Sequence, residues 1–265
     1  MKTVIVIPAR YASTRYPGKP LVALSGPDGP KTLIQRSWEA AMAVEGVHGV
    51  YVATDDDRIK EAAEAFGAKV IMTPESCANG TERCAAALDG MGEEPDLVVN
   101  LQGDAPLTPA WFVSDLIAGF EKDGDVHVTT PVLRCDLQTY KNFVEDRKHG
   151  RVGGTTAVFD AHMNAMYFSK EVIPYVGDDL GEGDEIPVFH HVGVYAYRPS
   201  ALREYANWRT GPLETLEGLE QLRFMERGLP VRCVEVEGKG RVFWELNNPE
   251  DVPRIEKVLN EGMPS

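Results

Sequence analysis

The chain has 265 residues, of which 43% are hydrophobic and 26% are charged, a balance typical of globular proteins. Its net charge of −14 argues against a nucleic-acid-binding surface, although it does not exclude a local site for a nucleotide. No apolar run approaches the roughly 20 residues that span a bilayer. No signal-peptide region precedes the first apolar strand, so we expect a cytoplasmic protein without a membrane partner.

The first half of the chain alternates predicted strands with predicted helices. Apolar, β-branched runs predict strands, and apolar residues at helical spacing predict helices. The strands are predicted at 4–8, 48–54, 69–72 and 96–101, and the helices at 31–43, 58–66, 80–88 and 109–120. This order is the signature of a parallel sheet with right-handed crossovers, so the predicted fold class is α/β.

The second half is more mixed. Strands are predicted at 126–132, 154–159, 166–169, 190–198 and 231–237, and helices at 213–227 and 247–259. The acidic, glycine-rich segment 176–185 is predicted to be a mobile loop. No composition shift marks a linker, so we treat the second half as a subdomain of a single domain, 1–265.

The polar loop after the first predicted strand carries three cations, Arg10, Arg15 and Lys19. In an open α/β sheet, ligands bind beyond the carboxyl ends of the strands, so this loop indicates an anion site. Neither a P-loop nor a G-x-G-x-x-G motif is present, so a phosphate would be held here by side-chain charges and loop amides. The alternative is a solvated basic loop.

Asp104 follows the strand predicted at 96–101, beside Gln102 and Gly103. This position places its carboxylate at the carboxyl edge of the sheet, near the basic loop. A divalent ion held between protein and phosphate would suit such a carboxylate. The alternative is an aspartate that caps the helix at 109–120.

The four cysteines, Cys77, Cys84, Cys135 and Cys233, show neither CxxC spacing nor any other metal-ligand spacing. We therefore predict that they are reduced packing residues.

Seven segments, taken in chain order, carry a family resemblance. They are IPARYASTR at 7–15 with PGKPL at 17–21, VATDD at 52–56, GTER at 80–83, NLQGD at 100–104, HVGVYAYR at 191–198, LEQLR at 219–223 and NPED at 248–251. Together they resemble the 3-deoxy-manno-octulosonate (Kdo) cytidylyltransferase family, also called CMP-Kdo synthetases. The segments span nearly the whole chain.

The resemblance implies a reaction in which CTP and an acidic sugar give a CMP-sugar of lipopolysaccharide biosynthesis and pyrophosphate, with Mg²⁺ as cofactor. It also implies a homodimer and a mostly parallel, Rossmann-like nucleotidyltransferase sheet, with a smaller mixed α+β region for acceptor binding and dimerisation. On this basis residues 1–125 form the CTP-binding half, 126–240 form the acceptor and dimerisation region, and 241–265 return to the metal site.

The resemblance also assigns site residues. Those for CTP are Ala9, Arg10, Ser13, Arg15, Lys19, Asn79, Gly80, Arg83 and Gln102; the catalytic residues are Arg10, Lys19 and Asp104; the metal ligands are Asp104 and Asn247; and those for the acceptor are Lys170, His191, Tyr195 and Glu220. For the acceptor residues, the alternatives are a half-buried strand face for His191 and Tyr195, and solvated surface charges for Glu220 and Lys170.

Three positions depart from the family pattern. Asn247 stands where the family has a second metal aspartate, with Glu245 as a substitute two residues earlier. Ala105 replaces an acid, and Lys170 replaces an arginine and loses its bidentate geometry. The more positive metal site favours an alternative acceptor such as a small phosphonate. A second alternative is an inactive protein that binds CTP.

Overall fold

The structure is a computed structural model, and it describes residues 1–13, 15–152, 154–177, 180–181, 183–240 and 244–261. Its strands are Thr3–Ala9 (β1), Ala23–Leu24 (β2), Lys31–Thr32 (β3), Gly49–Thr54 (β4), Lys69–Met72 (β5), Leu97–Leu101 (β6), Val128–Arg134 (β7), Thr155–Phe159 (β8), Ala165–Ser169 (β9), Phe189–His191 (β10), Val194–Tyr197 (β11) and Arg232–Glu235 (β12). Its α-helices are Leu33–Met42 (α1), Asp57–Ala65 (α2), Gly80–Ala87 (α3), Ala110–Lys122 (α4), Leu137–Lys148 (α5), Pro199–Asn207 (α6), Pro212–Glu217 (α7), Leu222–Glu226 (α8) and Val252–Glu261 (α9). None of the described helices has the length and apolar character needed to cross a membrane.

The chain divides into two compact units. The first comprises Met1–Ile117, Ala196–Asn207 and Gly238–Ser265, and the second comprises Ala118–Tyr195 and Trp208–Glu237. The predicted single domain, with internal limits at 125 and 240, stays a prediction.

The first unit contains parallel strands in the order β5-β4-β1-β6. β1 lies between two neighbours, because Val6 pairs with Tyr51 of β4 and with Asn100 of β6. Every residue of β1 is buried, which explains why its sequence is continuously apolar. The predicted α/β fold class is confirmed. The loops that follow β1, β4, β5 and β6 all begin at the same edge of this sheet.

The second unit contains antiparallel strands in the order β7-β10-β8-β9, with β12 parallel to β7. The prediction of one strand at 190–198 is wrong, because β10 ends at His191 and β11 begins at Val194. The Val194 backbone N donates to the Val192 carbonyl at 2.7 Å, and this tight turn interrupts the strand. Three residues of the loop predicted at 176–185, namely Asp178, Asp179 and Glu182, lie outside the described residues.

The prediction of one helix at 213–227 is also wrong, because α7 ends at Glu217 and α8 begins at Leu222. Gly218 adopts a left-handed φ of 63°, and its backbone N donates to the Glu214 carbonyl at 2.7 Å. This geometry is a glycine C-cap, which terminates a helix even where the apolar spacing continues.

Candidate active site

The loop after β1 folds around the carbonyl oxygen of Tyr11. This oxygen accepts hydrogen bonds from the backbone N atoms of Ser13 and Gly18, each at 3.0 Å. Gly18 has a φ of 71°, and a Cβ there would lie 3.1 Å from the Tyr11 ring, so the turn requires glycine. Arg10 and Arg15 are exposed on this loop, beyond the carboxyl end of β1. The loop thus presents cations where an open α/β sheet binds its ligands.

Lys19 and Asp104 form an ion pair in the first unit, with Nζ 2.6 Å from Oδ2. Asp104 follows β6 by way of Gln102 and Gly103. A Cβ at Gly103 would lie 2.7 Å from the Pro8 carbonyl oxygen, so glycine allows the loop after β6 to pass against the end of β1. The structure therefore brings these two predicted site residues into direct contact.

A C-terminal segment returns to Asp104. The Leu246 backbone N donates to the Asp104 carbonyl at 2.9 Å. Arg15 Nη2 donates to Asn247 Oδ1 at 3.3 Å, and Asn247 Nδ2 donates to Glu245 Oε2 at 3.4 Å. Burial raises the pKa of Glu245 to about 7, and the nearby charge of Asp104 adds to the rise.

Asp104, Asn247 and Glu245 form an oxygen-rich group whose chemistry suits Mg²⁺, which prefers oxygen ligands. Burial is the main cause of the raised pKa of Glu245, the neighbouring charge of Asp104 adds to it, and a divalent cation would offset that second contribution. Within the described ranges, no group of three or more His, Cys, Asp or Glu residues could hold a metal ion. Magnesium therefore stays a prediction.

Asn79 and Gly80 lie at the start of α3. Asn79 Oδ1 accepts from the Glu82 backbone N at 2.9 Å, so Asn79 caps the helix. Its Nδ2 donates to Tyr205 Oη at 2.9 Å. A Cβ at Gly80 would lie 3.0 Å from Gln102 Nε2, so three residues predicted to bind CTP, Asn79, Gly80 and Gln102, are close together.

Arg83 is anchored inside the first unit and is only 2% exposed. Its guanidinium donates to Thr73 Oγ1 at 2.6 Å and to Asp55 Oδ2 at 3.0 Å. Sequence reasoning gave no role to Thr73 or Asp55, although each directly follows a parallel strand, the signal that identified Asp104. The role of Arg83 at the nucleotide stays a prediction, and in the structure it joins two strand ends.

The residues predicted for the acceptor lie in the second unit. Lys170 follows β9, His191 ends β10, Tyr195 lies in β11, and Glu220 lies between α7 and α8. His191 is 5% exposed, with Nε2 2.8 Å from Thr130 Oγ1, and burial lowers its pKa to about 3. Its ring centroid lies 5.6 Å from that of Tyr195, whose Oη donates to Gln221 Oε1 at 3.0 Å. Sequence reasoning missed Gln221, which is adjacent to Glu220 in the quoted LEQLR motif.

A family model described as cytidylyltransferase matches residues 4–235. The chain belongs to the cytidylyltransferase family. It is 41% identical over 260 residues to the 3-deoxy-manno-octulosonate cytidylyltransferase of Maricaulis maris (strain MCS10), covering 98% of this chain and 97% of that one. It is 41% identical over 261 residues to the 8-amino-3,8-dideoxy-manno-octulosonate cytidylyltransferase of Shewanella woodyi (strain ATCC 51908 / MS32), covering 98% and 99%.

Among solved structures, the fold of this cytidylyltransferase is similar to the structure of CMP:2-keto-3-deoxy-manno-octonic acid synthetase complexed with CTP. The TM-score is 0.82 at 34% identity, covering 97% of this chain and 98% of that one. The predicted family and enzyme class are therefore confirmed: the protein is a CTP-dependent nucleotidyltransferase.

Proposed function

We propose that this cytidylyltransferase transfers CMP from CTP to Kdo, or to its 8-amino derivative, and releases pyrophosphate. The observation that carries the proposal is the ion pair between Lys19 and Asp104, which joins the basic loop to the carboxylate after the neighbouring strand. Support for the acceptor comes from relatives named for these two sugar acids, each 41% identical over 98% of the chain.

The proposed reaction is an in-line displacement. An acceptor hydroxyl attacks the α-phosphorus of CTP, so an O–P bond forms and the bond to the β-phosphate oxygen breaks. Negative charge builds up on the departing pyrophosphate, and positioned cations are the main source of stabilisation. We assign Arg10, Arg15 and Lys19 to the triphosphate, with a further hydrogen bond from Ser13.

For the metal, we propose that Asp104 and Asn247 would hold Mg²⁺, with Glu245 as the alternative ligand. Magnesium would neutralise phosphate charge and favour ionisation of the acceptor hydroxyl. An amide ligand at Asn247 supplies no charge, so this site is more positive than one with two aspartates.

One experiment distinguishes the proposed function from two alternatives. The absence of carboxylates at Asn247 and Ala105 also suits a small phosphonate acceptor, and Asn247 alone motivates a protein that binds CTP without turnover. We would measure pyrophosphate release from CTP and Mg²⁺ with Kdo, with 8-amino-Kdo and with small phosphonates. We expect release with a sugar acid. Two results would overturn the proposal: pyrophosphate release with phosphonates but neither sugar acid, or no pyrophosphate release with any of the acceptors tested.

We further propose a cytoplasmic homodimer that draws on the CTP pool of the cell and supplies an activated sugar for lipopolysaccharide biosynthesis. In the second unit, Leu216 is 82% exposed and Met166 is 65% exposed, and these are apolar side chains that a subunit interface could cover. Light scattering of the purified protein tests this proposal, and a monomer at assay concentration would contradict it.

A further inference from the structure

Glu217, the last residue of α7, is bonded to the strand end that carries Lys170. Its Oε1 accepts hydrogen bonds from Ser169 Oγ at 2.7 Å and from Tyr167 Oη at 3.4 Å. Its Oε2 accepts a hydrogen bond from the Lys170 backbone N at 2.9 Å. One carboxylate therefore joins α7 to the end of β9 at three points.

Further hydrogen bonds hold the backbone on the other side of Lys170. Ser169 Oγ accepts from the Glu171 backbone N at 3.0 Å, and Thr156 Oγ1 donates to the Glu171 carbonyl at 2.6 Å. The backbone before and after Lys170 is thus fixed by side chains of Ser169, Thr156 and Glu217. The backbone from which the Lys170 side chain extends is therefore held in place without a ligand.

The Lys170 side chain runs over Gly218, where an added Cβ would lie 2.9 Å from Nζ. In the part of the chain that the structure describes, no carboxylate forms an ion pair with Lys170 Nζ, whereas Lys19 Nζ is paired with Asp104. Both Glu217 oxygens already accept bonds from the β9 end. The carboxylate therefore fixes the lysine without neutralising its ammonium.

We propose that Glu217 is a positioning residue for the acceptor, which holds Lys170 so that its ammonium pairs with the anionic group of the sugar acid. The inference rests on the proposed function and on the assignment of Lys170 to the acceptor that the family resemblance implies. Lysine lacks the planar fork by which arginine orients itself on a carboxylate, so its placement depends more on the backbone beneath it. Glu217 supplies that placement.

Steady-state kinetics of pyrophosphate release test the inference with the variants Glu217→Ala, Glu217→Gln, Lys170→Met and the double variant. We expect Glu217→Ala to raise the KM for the acceptor about ten-fold, with kcat and the KM for CTP changed less than about two-fold. Glu217→Gln keeps one oxygen that can accept from the Lys170 backbone N, while its Nε2 can donate to Ser169 Oγ, so this variant should restore most of the loss. In the Lys170→Met background, Glu217→Ala should have no further effect, because it acts through the lysine.

Glu226 offers a matched control, since its carboxylate also accepts backbone bonds, from Leu213 N at 2.9 Å and Glu214 N at 3.1 Å. Glu226→Ala should lower the melting temperature and leave the KM for the acceptor within about two-fold. The inference is overturned if Glu217→Ala leaves that KM unchanged, raises the KM for CTP equally, or acts additively with Lys170→Met. Wild-type protein that turns over neither Kdo nor 8-amino-Kdo would instead overturn the proposed function.

Discussion

Lys19 Nζ lies 2.6 Å from Asp104 Oδ2, so a single ion pair joins the loop after β1 to the loop after β6. The two side chains retain 14% and 26% exposure, which leaves both able to contact a ligand. Because β1 and β6 are adjacent parallel strands, their carboxyl ends necessarily place these loops side by side. The pair therefore fixes the position of the basic loop relative to the proposed metal ligand.

Asp104→Asn keeps the shape of the side chain and removes its charge. We expect kcat for pyrophosphate release to fall by about 10²–10³-fold, because the variant would hold Mg²⁺ less well and so lose cationic charge that stabilises the leaving pyrophosphate. Asp96, which precedes β6 at its other end and accepts from the Lys2 backbone N at 2.6 Å, gives a matched control. Asp96→Asn should retain kcat, and an Asp104→Asn variant as active as this control would exclude the assigned role.

Asn247→Asp adds the charge that the family pattern places at this position. We expect the magnesium concentration for half-maximal pyrophosphate release to fall about ten-fold, since ligand charge tunes affinity for hard cations. A magnesium titration measures this, with Asn248→Asp as the neighbouring control. An unchanged magnesium requirement in Asn247→Asp would show that residue 247 does not hold the ion.

Asp55→Asn leaves the Arg83 guanidinium without its carboxylate at a side chain that is 3% exposed. Removing one partner of a buried ion pair costs about 3–5 kcal/mol, and we expect a loss near the lower limit because Thr73 still accepts from Arg83. Denaturant unfolding measures the free energy. Lys148→Ala, at an ion pair with 66% and 55% exposed side chains, should cost less than about 0.5 kcal/mol. If the two variants lost similar amounts of free energy of unfolding, Asp55 and Arg83 would not stabilise the fold as a buried ion pair.

The stability of the protein should depend on pH through two histidines. Burial lowers the pKa of His190 to about 4 and that of His191 to about 3, below the value of about 6.5 in an unfolded chain. The unfolded state then binds more protons, so stability is fully present above pH ~6.5 and is lost as the pH falls towards the folded pKa values. Between about pH 6 and pH 4, the free energy of unfolding of His191→Gln should fall less steeply than that of the wild type, by about 1.4 kcal/mol per pH unit. Denaturant unfolding across that range checks it, and equal slopes in variant and wild type would contradict the burial of a neutral ring.

Much of the first unit could be predicted from sequence because its signals are local. β1 is buried on both faces, so its apolar run is continuous, and β5 occupies the predicted residues 69–72. Asp104 was found because a carboxylate that ends a parallel strand lies at a known edge of the sheet. The hydrogen bond between Arg15 and Asn247 could not be predicted in this way, because the two residues are 232 positions apart and the bond depends on how their side chains are oriented.

The second unit was harder to predict, for physical reasons that particular residues show. α5 has one buried residue, Phe143, so its apolar spacing is weak and the helix was missed. The apolar spacing that runs from α7 into α8 concealed the break at Gly218, where the left-handed glycine was the available signal. Glu217 was missed because its role arises from hydrogen bonds to β9, which no spacing within α7 indicates.

The most direct measurement is pyrophosphate release by the wild-type protein with Mg²⁺, Kdo or 8-amino-Kdo, and each common ribonucleoside triphosphate in turn. We predict release with CTP and a sugar acid, little release with the other nucleotides, and loss of the activity in Asp104→Asn. Wild-type protein that releases no pyrophosphate from CTP with either sugar acid would contradict the proposed function.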